Sequence, residues 1–129
     1  MIIAVDFDGT ICENKWPNIG RPNRFVIDAL KRHKENGDQV ILWTCRSGAL
    51  LEAAVQFCRL AGLEFDAIND NVPERIATFG NNSRKVSADE YWDDKAIPTS
   101  AVVINNMADA TEKLKIALGL LQCYLWEKP

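Results

Sequence analysis

The chain has 129 residues, 47% of them apolar and 26% charged, which is enough for a real core and too few for two separate ones. A net charge of −3 and an isoelectric point near 5.1 exclude a general binder of nucleic acid or of anionic membrane, because no basic excess is present to neutralise phosphates; a particular nucleic-acid end stays open as a substrate. Apolar runs stop far short of the roughly 20 residues of a membrane span, and the N-terminus enters a strand without a basic leader, so a cytoplasmic protein with no membrane contact is expected.

The first element is the run Ile2-Ile3-Ala4-Val5. It shows no alternation and reads as a strand buried on both faces, the kind found inside parallel sheets. Asp6 and Asp8 follow at its C-terminal end and point the same way, since side chains alternate along a strand, and Gly9-Thr10 turns the chain out of the sheet. Two like charges aimed into one small space repel unless a cation or a shared proton compensates, so the pair asks for a metal. The plainer alternative is a pair of turn residues capping the strand.

Residues 12–22 contain Asn and Pro and read as a loop. Asn23 can cap a helix over 24–35 that stops at Gly37, with Val26, Ala29, Leu30 and His33 on one face. Residues 39–43, QVILW, form a second buried strand ending at Thr44. Ser47 starts a second helix with Leu50, Leu51, Ala54, Val55 and Cys58 as its stripe and Gly62 as its stop. A shorter strand is expected at 64–68, mostly loop with a short helix near 74–79 after it, a fourth strand at 88–92, a fifth at 101–105 and a last helix over 109–126.

Cys12, Cys45, Cys58 and Cys123 lack the C-x-x-C spacing of a zinc site, and His33 is the single histidine. Cys45 reads as small packing and His33 as a solvated, weakly capping residue. Trp16, Trp43, Trp92 and Trp126 read as core or rim packing.

Strands separated by helices imply right-handed βαβ units and a parallel sheet, whose ligands sit beyond the C-terminal strand ends. Three strands end there in reactive residues: Asp6 and Asp8, then Thr44, then Asp93 and Asp94. A carboxylate cluster suits a hard cation, best of all Mg²⁺. Thr44 precedes Cys45-Arg46-Ser47 at the mouth of a helix, where a hydroxyl and backbone N–H groups make an anion site, and Lys85 could add positive charge. Metal, anion cradle and paired aspartates describe phosphoryl transfer. Taken singly, each member also has a bland reading: Thr44 as a cap, Lys85 as a solvated lysine, Asp93-Asp94 as a turn before Pro98.

VDFDGT (5–10), ILWTCR (41–46) and ADEYWDD (88–94) resemble the first, second and fourth motifs of the haloacid dehalogenase superfamily of phosphohydrolases. The resemblance implies a three-layer α/β/α Rossmannoid domain with a parallel sheet, and the short insertions leave no separate cap domain. It implies that Asp6 is the nucleophile and a Mg²⁺ ligand, and that Asp8 is the general acid and base with its main-chain carbonyl on the metal. Thr44 would hydrogen-bond the phosphoryl group and Lys85, with Arg75 and Arg84 as rivals, would stand for the stabilising lysine. Asp93 would be a metal ligand assisted by Asp94, and Gly9, Thr10, Cys45 and Arg46 would line the phosphate-binding loops. The expected activity is a Mg²⁺-dependent phosphatase acting on a phosphorylated substrate, with large and nucleotide-like molecules included because an open site lacks the walls that select a small one. A phosphate- or metal-binding module with little turnover is the alternative of a different class. Asn69-Asp70-Asn71 lies on the reactive side, as a substrate contact or a simple turn.

Overall fold

Four apolar residues in succession leave no polar face, and β1 (Ile2–Val5) is accordingly buried along its whole length. The computed structural model describes residues 1–97; the strand expected at 101–105, the helix expected at 109–126, Cys123 and Trp126 lie outside them. β1 is central in a four-stranded parallel sheet ordered β5-β4-β1-β6, where β4 is Gln39–Leu42, β5 is Ala67–Ile68 and β6 is Glu90–Trp92. Between them run α1 (Arg24–Glu35), α2 (Gly48–Leu60) and α3 (Pro73–Phe79). The fold is therefore α/β with a mostly parallel central sheet, as the alternation of strands and helices implies.

The crossovers from β1 to β4 and from β4 to β5 step in one direction across the sheet, and same-handed crossovers must then lay both helices on one face. They do: Val26, Ile27, Ala29 and Leu30 of α1 and Ala54 and Cys58 of α2 pack into one cluster with Ile3, Val5, Val40 and Leu42. Asn23 caps α1 by accepting the Val26 amide. Ile2, Ala4 and Ile41 face the other way, against Val72 and Val86, which flank α3. Among the described residues this second layer is thin, for α3 itself buries no residue.

Several expectations change in detail. Residues 12–22 are not a loop but an antiparallel hairpin, β2 (Cys12–Lys15) with β3 (Asn18–Pro22). Its strands are short and polar, so no alternating pattern marks them; Glu13, buried between them, holds Arg21 at 2.9 Å. The strands expected at 64–68 and 88–92 keep only their ends, because Asp66 and Asp89 occupy the preceding ladder positions with their side chains. Asp66 accepts the Val40 amide at 2.8 Å and Asp89 the Ile2 amide at 2.6 Å, each returning its own N–H to the same strand residue's carbonyl. On α2, Leu50 stands exposed rather than in the stripe. His33 is buried instead of solvated: its Nδ1 lies 2.8 Å from Asp38 and its ring meets Trp92 edge-on. Among the described residues no helix is long and apolar enough to cross a membrane.

Candidate active site at the strand ends

The sheet order places the C-terminal end of β1 between those of β4 and β6, so residues 6–10 sit between the loops at 43–47 and 93–94. The Asp6 amide donates to the Trp92 carbonyl at 2.9 Å and the Trp43 amide to the Val5 carbonyl at 2.9 Å, carrying the parallel pairing one step past the strands. One carboxylate oxygen from each of Asp6, Asp93 and Asp94 lies within 4.8 Å of the others. Burial, and then the charge of Asp93, push the Asp6 carboxyl from 3.8 up to about 7; Asp94 and Asp8 add to this while a hydrogen bond from the Phe7 main chain opposes it. Burial and Asp93 likewise raise Asp94, against Lys95. Three carboxylates concentrated this way repel one another, and together they can hold a cation.

Gly9 and Thr10 serve this cluster rather than standing apart from it. Gly9 has φ +88°, and a Cβ there would collide with the Asp94 carboxylate, so glycine is needed both for the turn and for the close approach. Thr10 is fully buried and its hydroxyl accepts the Asp94 amide at 3.1 Å, tying the end of β6 to the turn after β1. The burial of this hydroxyl suits a tie between the two loops rather than the phosphate contact expected for Thr10.

Asp8 faces a different partner. Arg46 donates to both its oxygens, Nε to Oδ2 at 2.9 Å and Nη2 to Oδ1 at 2.8 Å. The guanidinium is buried and also donates to the carbonyls of Pro17, Asn18 and Leu50. Its carbon sits 5.0 Å from the Phe7 ring centroid and 5.1 Å from that of Trp16. The Arg46 side chain, expected on phosphate, is thus committed to Asp8 and to the turn of the hairpin.

Thr44 lies at the end of β4 with its hydroxyl accepting the Arg46 amide at 3.1 Å and its amide donated to the Asn69 side chain at 2.8 Å. Asn69 also donates to the Arg46 carbonyl and has φ 51°, a left-handed backbone that Asn tolerates better than most residues. The Asn69 side chain therefore holds the Thr44 loop in place. Its neighbour Asn71 staples the loop of residues 82–87 through Asn82, Ser83 and Ser87. Cys45, read as packing, is exposed in the Thr44 loop, and Cys12, Cys45 and Cys58 form no disulfide with one another.

Lys85 is exposed, its ammonium 5.3 Å from the Tyr91 ring centroid. Of its rivals, Arg75 pairs with Asp89 at 3.5 Å and Arg84 is exposed. The structure thus brings together Asp6, Asp93 and Asp94, joins Asp8 to Arg46, and sets Thr44 on Asn69, while Lys85 rests on Tyr91. Sequence reading passed over the Asp8–Arg46 pair, for which a separation of 38 residues leaves no local signal. The polar run Asn69-Asp70-Asn71 was the visible trace of the Asn69 brace.

A solved structure of a conserved protein from Bacteroides thetaiotaomicron matches this chain with a TM-score of 0.66 at 44% identity, over 77% of this chain and 82% of that one. No family model and no curated protein matches. The chain belongs to the same family as that conserved protein.

Proposed function

We propose that this chain is a Mg²⁺-dependent phosphohydrolase of the haloacid dehalogenase type, cleaving a phosphomonoester through an aspartyl phosphate on Asp6. The observation that carries the reading is the meeting of Asp6, Asp93 and Asp94 within 4.8 Å at the ends of two neighbouring strands, with Thr44 at the end of the third. The donor set fits Mg²⁺: the cluster contains oxygen ligands alone, and the burial and the mutual repulsion that raise Asp6 and Asp94 are what a hard cation offsets. Bound there, Mg²⁺ would neutralise charge on the phosphoryl group and keep Asp6 ionised.

The residues divide the work by position. Asp6, half-buried at the end of β1, attacks phosphorus, the P–O bond to the leaving group breaks, and the phosphoryl group passes to the carboxylate. Thr44, whose oxygen accepts the Arg46 amide, keeps its own O–H to donate to a phosphoryl oxygen. Asp8 protonates the leaving oxygen and later takes a proton from the water that resolves the intermediate. Arg46 fixes its orientation through two bonds, a geometry that leaves it little freedom to turn away. The reading carries the cytoplasmic location expected from the sequence.

That same clamp favours a second reading, a phosphate- or metal-binding module with little turnover, because both Asp8 oxygens already accept hydrogen bonds from Arg46. One assay separates the two: phosphate release from a panel of phosphomonoesters, with Mg²⁺ and with chelator, for wild type and Asp6→Asn. Metal-dependent release that the variant lacks supports the phosphohydrolase. Binding of Mg²⁺ and phosphate without release from any member of the panel supports the module.

A further inference from the structure

Trp16 stands at the turn of the β2–β3 hairpin with 54% of its surface exposed. A half-exposed indole offers a face on which a planar group can stack, and its surroundings decide whether that face serves the site. One face covers the Arg46 guanidinium at 5.1 Å, and Arg46 is bonded to both oxygens of Asp8. The indole is therefore one guanidinium away from the group assigned to the leaving oxygen. Its position is set in advance, since Arg46 also holds the carbonyls of Pro17 and Asn18, and the Trp16 amide donates to the Asn14 side chain.

We propose that Trp16 is the stacking platform for the leaving group, so that the substrate class is a phosphomonoester bearing a planar heteroaromatic ring, of the nucleoside monophosphate kind. This rests on the phosphohydrolase reading for the word substrate, though not for the binding itself. A phosphate seated by Asp6 and Thr44 directs its ester oxygen toward Asp8, and whatever that oxygen carries continues toward the hairpin turn. A ring there stacks on the indole face turned away from Arg46, and the buried cation beneath reinforces a platform that is already in place. A cover for the Asp8–Arg46 pair alone would also use the ring, through its face on Arg46, but would give no preference for a base on the ligand.

The test compares adenosine 5′-monophosphate with ribose 5-phosphate, in which an anomeric hydroxyl replaces the base. Their affinities are measured by calorimetry with Mg²⁺ on the full chain carrying Asp6→Asn, so that turnover does not intervene, and on the same chain with Trp16→Ala, Trp16→Leu or Trp16→Phe added. Stacking of one base on an aromatic side chain is expected to favour the adenosine compound by at least about fivefold. That preference should collapse toward one in Trp16→Ala and Trp16→Leu and survive in Trp16→Phe. A preference near one with Trp16 present, a preference that Trp16→Leu leaves intact, or no binding of adenosine 5′-monophosphate to either Asp6→Asn or the wild-type chain overturns the inference. Wild type tested for phosphate release from the same two compounds separates the two ideas: the base preference without release retains the platform and removes the phosphohydrolase.

Discussion

Replacing Arg46 with Met tests how much the fold and the site depend on one buried guanidinium. Its side chain is 1% exposed and that of the paired Asp8 18%. The change strips Asp8 of two short hydrogen bonds and removes the donors that the carbonyls of Pro17, Asn18 and Leu50 use, while Met still fills part of the space between Phe7 and Trp16. Breaking a buried pair by removing one partner costs about 3–5 kcal/mol, and water reaching the partly exposed Asp8 puts the expectation at the lower end, about 3 kcal/mol. A loss of that size should lower Tm by roughly 10–20 °C in a domain of this length. Urea unfolding followed by circular dichroism gives the free energy directly. Arg46→Lys keeps the charge without the planar fork and should fall between the two proteins. The double variant Asp8→Asn/Arg46→Met should lose less than the sum of its parts, because it leaves no orphaned carboxylate. A loss below about 1 kcal/mol for Arg46→Met would refute the view that this pair anchors the hairpin and the strand end.

Two further outcomes follow from the acidic cluster. The Asp6 carboxyl titrates at about 7 in the folded chain against an ordinary 3.8, so between those values the folded state holds a proton that the unfolded chain has released. With chelator present, wild type should therefore lose stability relative to Asp6→Asn as pH rises through that window, and Mg²⁺ above it should restore the difference; parallel pH profiles of the two proteins would contradict this. Gly9→Ala should disturb Asp94 and raise the Mg²⁺ concentration needed for half-maximal stabilisation, since the new Cβ meets the Asp94 carboxylate and the turn has φ +88°. An unshifted metal titration would show that Asp94 does not depend on that space.

The strands and helices that the sequence displays are those whose pattern is local. Ile2–Val5 is apolar throughout and central, and residues 24–35 carry both a cap and an amphipathic stripe, so both are readable and found as expected. The hairpin at 12–22 is held from outside by Arg46 on its turn carbonyls and from within by buried Glu13, and a polar strand supported in this way has no period to read. Asp66 and Asp89 shorten β5 and β6 because side-chain oxygens substitute for main-chain partners, a choice that depends on strands 26 and 87 residues away. In the site, the carboxylates at 6, 93 and 94 were legible because each ends a strand. The partners that orient the remaining groups, Arg46 for Asp8 and Asn69 for Thr44, come from other strands and show only in three dimensions.

The central claim is that Asp6 carries the phosphoryl group. Acid quenching of the protein during turnover, followed by borohydride reduction and peptide mass spectrometry, converts an aspartyl phosphate to homoserine at the residue that bore it. Homoserine at position 6, dependent on both Mg²⁺ and substrate, is the expected result. Homoserine at position 8, or none at either position in a sample that is releasing phosphate, would contradict it.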